Sequence, residues 1–140
     1  MWNRFGNVLR TKGGNAMNFM NDRNTMQVTR SLALSSELTG SMICIKGNAI
    51  GSRVILQSDK KLVVGRDSQS CNYTISDSKI SRVHFEITYI GALNQYKVID
   101  YSTNGTFLQD GTRLKKNQEY YLPPATELSL GKGSNIYKLT

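Results

Sequence analysis

Residues 83–108 read VHFEITYIGALNQYKVIDYSTNGTFL, in which short runs of β-branched and aromatic residues alternate with turn-forming residues. Two runs, at 83–89 and 95–100, are separated by a segment that contains glycine and asparagine. A third run, at 106–108, follows the sequence Ser-Thr-Asn-Gly. Short strands separated by turns are typical of antiparallel sheets. This segment therefore predicts three strands of an all-β domain.

The same alternation of short β-branched or aromatic runs with turn residues extends over the chain from residue 41 onwards. The further runs predict strands at 42–46, 53–56, 62–65, 126–130 and 135–139. The pair Pro123-Pro124 cannot lie within a central strand, so it marks a connection before the last two strands. Because many strands occur and no convincing amphipathic helix does, the pattern predicts an antiparallel β-sandwich or barrel.

Residues 1–40 differ from the rest in being rich in Asn, Gly, Ser, Thr and Met, with no sustained periodicity. Such a composition buries little apolar surface, so we expect a mobile polar tail over 1–40. The length of 140 residues, with 39% hydrophobic and 20% charged residues, fits one domain plus this tail. The domain is expected over 41–140.

Charge and cysteine content narrow the classes of function. Lysine and arginine outnumber acidic residues by 18 to 10, and a net charge of +8 favours phosphate-bearing partners. Cys44 and Cys71 form no C-x-x-C pair, and His84 is the only histidine, so we expect no metal and no cofactor. The chain contains no apolar run of about 18 residues, so a cytoplasmic or other intracellular location is expected.

Three polar segments stand out beside the predicted strands. They are Gly65-Arg66, then the segment Ser-Arg-Val-His at 81–84, then Ser-Thr-Asn-Gly-Thr-Phe at 102–107. Loops gathered at one end of a rigid sandwich commonly form a binding site. Guanidinium groups, a lysine, hydroxyls and an amide together suit an oxyanion, because arginine matches phosphate with parallel charge-assisted hydrogen bonds.

These three segments, in this order and spacing, resemble the forkhead-associated (FHA) domain family. The resemblance runs from Met42 to Leu139, which is 139 − 42 + 1 = 98 of the 140 residues, and includes Asp77 and the strand that ends at Asp100. It implies an FHA-like antiparallel β-sandwich of about eleven strands. It also implies a module that binds phosphothreonine peptides.

The resemblance assigns a role to each site residue. Arg66 and Ser81 would contact the phosphate, Arg82 and Thr103 would add further contacts, and Asn104 would hold the peptide backbone. Lys79 would face the side chain three residues after the phosphothreonine. His84 would be structural, and so would Gly65 and Gly105, since an Asn-Gly pair also suits a tight turn.

The sequence also contains features of two other classes of function, an enzyme and a nucleic-acid-binding domain. Ser81 and His84 suggest a nucleophile and a base, but a triad also needs an orienting acid and an oxyanion hole, and the sequence G-x-S-x-G is absent, so we expect no enzyme. Seven tyrosines and the net charge suggest a basic nucleic-acid-binding β-domain. Stacking on bases would require aromatic residues interleaved with cations on one face, whereas Tyr89, Tyr96 and Tyr137 lie in predicted strands, where packing is their more ordinary use. We therefore expect no nucleic-acid partner.

The expected partner is a protein phosphorylated on threonine, so that the chain couples a serine/threonine kinase or its substrate to a downstream protein. The tail offers a second ligand, because Thr25 and Thr29 lie near Arg23 and Arg30 in the predicted mobile segment. A phosphorylated Thr25 or Thr29 would be tethered to the domain at a high effective concentration. Self-binding of the tail is therefore a further hypothesis.

Overall fold

Ten strands form in the computed structural model, which describes residues 38–140. In chain order they are β1 (Thr39–Lys46), β2 (Arg53–Gln57), β3 (Lys61–Gly65), β4 (Tyr73–Thr74), β5 (Phe85–Ile90), β6 (Gln95–Asp100), β7 (Thr106–Leu108), β8 (Glu119–Leu122), β9 (Glu127–Leu130) and β10 (Asn135–Leu139). Residues 1–37 of the predicted tail, with Thr25 and Thr29, lie outside the described residues.

The strands form two five-stranded sheets. The first sheet has the order β2-β1-β10-β9-β7, and the second has the order β4-β3-β5-β6-β8. All pairings are antiparallel except the short parallel one between β3 and β4. This arrangement confirms the predicted antiparallel β-sandwich. Residues 38–140 contain no helix that is long and apolar enough to cross a bilayer.

Alternation of side chains along the strands builds the core between the sheets. Leu128 and Leu130 of β9 are fully buried, whereas Ser129 between them is only half-buried and lies on the outer face. The second sheet contributes buried residues such as Ile87 and Val98. Each fully buried aliphatic side chain stabilises the fold by roughly 1.5–3 kcal/mol. The period-2 pattern of the sequence therefore becomes an apolar layer between the sheets.

The eight predicted strands all form, with small differences in their bounds. The first strand begins at Thr39 instead of residue 42, and the strand predicted at 83–89 spans Phe85–Ile90. The sequence does not predict β4 or β8. Pro123 and Pro124 lie in the connection between β8 and β9, as predicted.

Three connections meet at one end of the sandwich, which we call the loop end; it comprises residues 66–72, 75–84 and 101–105. Side-chain hydrogen bonds join this end across the two sheets. Asp77 Oδ2 accepts from the Ser134 hydroxyl at 2.7 Å and from Asn135 Nδ2 at 2.9 Å. Asn48 Nδ2 donates to the Ser76 carbonyl at 2.9 Å. The loop end is thus fixed to both sheets.

Candidate functional site

The six residues predicted to bind a phosphopeptide line one open cavity of about 320 Å³ at the loop end. Ser78 and Ile80 complete its wall. The three polar segments that the sequence singled out are therefore brought together in space. The six residues are Arg66, Lys79, Ser81, Arg82, Thr103 and Asn104.

Arg66 directly follows β3, and its backbone N–H donates to the Ser81 carbonyl at 2.9 Å. Its side-chain Nε–H donates to the Ile80 carbonyl, also at 2.9 Å. No described residue accepts from the two Nη groups of this exposed guanidinium. Arg66 is thus anchored at Nε while both Nη groups remain available to a ligand.

Ser81 has a hydroxyl that is oriented by its neighbours. Ser81 Oγ accepts the backbone N–H of Thr103 at 2.9 Å. No described residue accepts the hydroxyl hydrogen of Ser81, so that hydrogen is available to donate to a ligand. This contact also joins the 75–84 connection to the 101–105 connection.

Asn104 connects the same two segments through its side chain. Asn104 Nδ2 donates to the Lys79 carbonyl at 3.0 Å, which leaves Oδ1 as an acceptor for a peptide N–H. The backbone N–H of Lys79 donates to Asp77 Oδ1 at 2.9 Å. Lys79 is thus held by its backbone, and the exposed residue is part of the lining of the cavity.

His84 lies buried beneath the cavity and holds both connections. Its Nδ1 accepts the backbone N–H of Ser81 at 3.1 Å, so the proton of the neutral ring is on Nε2. Nε2–H then donates to the Gly105 carbonyl at 3.1 Å. Burial lowers the pKa of His84, although the Gly105 carbonyl and the charge of Asp100 oppose that effect. The Nδ1 lone pair faces a backbone N–H and not the Ser81 hydroxyl, so His84 is not placed as a base for Ser81.

The 101–105 connection is closed by the buried carboxylate of Asp100. Asp100 Oδ1 accepts from the Ser102 hydroxyl at 2.7 Å and from the Thr106 hydroxyl at 2.8 Å. Ser102 Oγ in turn accepts the Gly105 N–H at 2.8 Å. Gly105 has a φ of +97°, which favours glycine. This network fixes the segment that presents Thr103 and Asn104.

Gly65 lies where β3 passes close to the backbone of residues 81–82. A Cβ atom at Gly65 would overlap the Arg82 carbonyl oxygen. That carbonyl accepts the N–H of Asp67 at 3.1 Å, so the close approach is part of the hydrogen-bonded site. Glycine is therefore required here for space.

The site carries an excess of positive charge. Asp67 lies near Arg82 and Arg66, and hydrogen bonds from the Ser70 hydroxyl and the Gln69 N–H, with smaller effects of the two arginines, lower the pKa of Asp67. The one ion pair within residues 38–140 joins Lys97 to Glu119, away from the cavity. The cations of the cavity are therefore not neutralised by ion pairs with described residues, and the cavity suits an anion.

Arg113 supports the site from outside the cavity lining, although nothing in the sequence singles it out. Its Nη2–H donates to the Thr103 carbonyl at 3.1 Å, and its guanidinium carbon lies 5.7 Å from the centroid of the Phe107 ring. Arg113 belongs to the connection between β7 and β8, and an isolated bridge pairs it with Phe107. Because this contact depends on how the connection folds back, the local sequence holds no signal for it.

The described residues contain no group of three His, Cys, Asp or Glu side chains that are close enough to hold a metal ion. Cys71 donates its thiol to the Arg82 carbonyl at 3.0 Å, and burial raises the pKa of that thiol. Cys71 thus lies behind the site as a packing and hydrogen-bonding residue.

Comparison with known proteins connects this site to a family. The family model described as the FHA domain matches residues 62–131, which is 131 − 62 + 1 = 70 of the 140 residues. The nuclear inhibitor of protein phosphatase 1 from Homo sapiens is 31% identical over 96 residues, which cover 68% of this chain and 27% of the human protein. The chain thus matches about a quarter of the length of that relative.

Solved structures are similar over most of the chain. The FHA domain of CT664 from Chlamydia trachomatis has a TM-score of 0.64 and 28% identity, and covers 74% of this chain and 97% of that one. The N-terminal FHA domain of Rad53p from S. cerevisiae, in complex with a phosphothreonine peptide, has a TM-score of 0.60 and 25% identity, and covers 73% and 91%. The family match, the sandwich and the agreement with solved FHA domains show that this chain belongs to the FHA domain family.

Proposed function

We propose that this chain binds proteins phosphorylated on threonine through the cavity at the loop end. Arg66 and Ser81 would hold the phosphate, and Arg82 and Thr103 would add contacts. Asn104 would hold the peptide backbone, while Lys79 would face the residue three positions after the phosphothreonine. Gly65, His84 and Gly105 would keep the cavity in shape. The binding module would occupy residues 41–140, with 1–40 as its tail.

The observation that carries this proposal is the set of donors that converge on one cavity. The Nη groups of Arg66 and the hydroxyl hydrogen of Ser81 have no partner among the described residues, and they line the same 320 Å³ space. Charge-assisted hydrogen bonds from arginine and a hydroxyl are the usual contacts of a phosphate group. The Rad53p FHA domain, which binds a phosphothreonine peptide, supports the same assignment.

The proposal places the chain between a serine/threonine kinase, or a substrate of one, and a downstream partner, without catalysis by the chain itself. An intracellular location is part of this proposal, and the name of the relative, nuclear inhibitor of protein phosphatase 1, supports it. A phosphorylated Thr25 or Thr29 of the tail would compete for the same cavity.

Nucleic-acid binding by base stacking is disfavoured by the positions of the tyrosines. All seven lie within the described residues, and only Tyr121 is exposed. Tyr89, Tyr96 and Tyr137 are buried in the core. One exposed ring does not form a surface for successive bases.

Replacement of Arg66 tests the proposal. We expect Arg66→Ala to weaken binding of a phosphothreonine peptide by roughly ten- to a hundredfold, because a charge-assisted hydrogen bond contributes about 1.5–3 kcal/mol. Isothermal titration calorimetry with phosphothreonine, phosphoserine and unphosphorylated versions of one peptide measures the effect. Arg66 is exposed, so the fold should persist, and circular dichroism checks this.

Lys60→Ala is the matched control, because it removes the same charge at the opposite end of the same strand. Lys60 immediately precedes β3, and Arg66 immediately follows it. Its affinity should equal that of the unmodified chain. A folded Arg66→Ala protein with unchanged affinity, or equal binding of the phosphorylated and unphosphorylated peptides by the unmodified chain, would refute the proposal.

A further inference from the structure

A second groove, of about 600 Å³, begins where the phosphate cavity ends. Asn104 lines both spaces. The groove continues along the outer face of the first sheet past Phe107 and Leu108 to Gln109. Asn104 and Gln109 are 109 − 104 = 5 positions apart, so the groove is roughly 15 Å long, which matches an extended peptide of about five residues.

The floor of this groove is an apolar trough formed by strand register. Ser129 of β9 lies opposite Phe107 of β7 on one side and opposite Ile136 of β10 on the other. All three side chains are half-buried and lie on the outer face of the sheet. Residues directly opposite in a sheet have Cβ atoms about 5 Å apart, so the small serine leaves a depression between two large apolar side chains.

The walls of the groove leave it open to a polypeptide. A Cβ atom at Gly111 would have no neighbour within 4 Å, and one at Gly133 would have only Ser129 Oγ, at 3.9 Å. Lys132 lies at the same end as the phosphate cavity, and Glu127 lies beside Gln109 at the far end, where its N–H donates to Gln109 Oε1 at 3.0 Å. An apolar floor with polar ends suits a peptide better than a wholly apolar surface does.

We infer that this groove binds the residues of the partner that flank its phosphothreonine, with one aliphatic or aromatic side chain seated over Ser129 between Phe107 and Ile136. The inference rests on the proposed function, because the groove is continuous with the phosphate cavity at Asn104. A peptide whose backbone is held by Asn104 enters the trough directly. This contact is separate from that of Lys79, which lines the phosphate cavity and not the groove.

A leucine scan tests the inference. The probes are phosphothreonine peptides with alanine flanks and a single leucine placed in turn at each of about five positions on either side, the length that the groove accommodates. We expect leucine at one position to tighten binding about tenfold, the effect of burying one aliphatic side chain. The position of that leucine also gives the direction in which the peptide runs.

Ser129→Phe should abolish this gain because the ring fills the trough, while affinity for the all-alanine phosphopeptide stays unchanged. Ile55→Phe is the matched control, since it adds a ring to an exposed position of the same sheet outside the groove. Ile136→Ser removes an apolar wall of the trough without filling space, so it should reduce the gain in affinity that the leucine gives. This variant tests the groove if Ser129→Phe does not fold.

The outcomes separate the two proposals. Selective binding of the phosphorylated peptide with a flat leucine scan, or a leucine gain that survives both Ser129→Phe and Ile136→Ser, would overturn the groove assignment alone. Equal binding of phosphorylated and unphosphorylated peptides would instead overturn the proposed function. Concentration-dependent self-association that Ser129→Phe abolishes, together with a flat scan, would assign the groove to a second copy of the chain and so overturn the inference.

Discussion

His84 is the only histidine of the chain, and its ring joins the two connections that present Ser81 and Asn104. Only the neutral ring can accept the Ser81 N–H at Nδ1 while it donates from Nε2 to the Gly105 carbonyl. Protonation would place a second hydrogen against the Ser81 N–H. The geometry of the site thus depends on one buried, uncharged imidazole.

This arrangement predicts a loss of stability in mildly acidic solution. The pKa of His84 is lowered in the folded chain by burial, whereas the unfolded chain has the ordinary value of 6.5. As pH falls below about 6.5, the unfolded chain takes up a proton first, so the free energy of unfolding decreases until the folded pKa is reached. Urea denaturation at pH values between 7.5 and 4.5 measures this slope, and a single histidine makes its assignment direct.

His84→Gln supplies the control for this pH dependence. We expect it to reduce stability at pH 7.5 by about 1–3 kcal/mol through lost hydrogen bonds, and to remove the decline that begins near 6.5. Carboxylates such as Asp77, whose pKa is lowered chiefly by the Lys79 N–H, lose their contribution only below their ordinary value of 3.8. An unchanged slope in His84→Gln would assign the acid sensitivity to other groups.

At the scale of strands and loops, short runs of β-branched and aromatic residues between turn residues predicted eight of the ten strands within residues 38–140. The two exceptions have physical reasons. Tyr73–Thr74 is only two residues long and therefore cannot display a period, and it forms through parallel pairing with β3. Glu119–Leu122 buries only Leu122 fully, and its pairing with β6 across the sheet determines that it is a strand.

The sequence predicts those residues of the candidate site whose side chains suit a phosphate and whose segments follow one another in a distinctive order. It does not predict a residue that reaches the site only because the chain folds back. Arg66, Ser81 and Asn104 lie in segments whose order along the chain is distinctive. Arg113 is an ordinary surface arginine in sequence, and only the return of the connection between β7 and β8 places it on Phe107 and the Thr103 carbonyl. The groove over Ser129 likewise depends on strand register, which the sequence alone does not specify.

Arg113 leads to a prediction about that connection. Arg113→Ala should weaken phosphothreonine-peptide binding about fivefold, because the 101–105 segment loses one hydrogen bond worth about 1 kcal/mol. Arg113→Lys should not restore affinity, since an ammonium lacks the planar group that lies over the Phe107 ring while donating to Thr103. Calorimetric titration at low and at moderate salt measures both variants.

Lys115→Ala is the control for this experiment, because Lys115 is an exposed cation on the same connection. Its backbone N–H donates to the Tyr120 hydroxyl, and this hydrogen bond does not involve the ammonium group that the substitution removes. It should affect affinity only slightly, and less at higher salt. Full recovery of affinity by Arg113→Lys would show that Arg113 acts through charge alone and would contradict a role in holding the segment.

At the scale of the molecule, Thr39, the first residue of β1, lies at the end of the sandwich away from the site. β1 begins at Thr39 and runs to Lys46, and the following turn lies at the loop end, where Asn48 contacts Ser76. The eight residues of β1 span about 25 Å. A tail residue must therefore extend back by about that distance to reach Arg66.

This distance predicts a difference between the two tail threonines. A flexible linker of 39 − 29 = 10 residues, the separation of Thr29 from Thr39, has an average reach of about 17 Å, and one of 39 − 25 = 14 residues, the separation of Thr25 from Thr39, has a reach of about 21 Å. Phosphorylated Thr25 should therefore close the site more effectively than phosphorylated Thr29.

Two variants test the two threonines one at a time. The Thr29→Ala chain keeps Thr25 for phosphorylation in vitro, and the Thr25→Ala chain keeps Thr29. Each phosphorylated chain is titrated with an external phosphothreonine peptide. We expect the larger loss of affinity when Thr25 is the residue phosphorylated, and the same loss at every protein concentration. Equal affinity before and after phosphorylation, or a loss that grows with protein concentration and so reports pairing between molecules, would exclude closure of the site by its own tail.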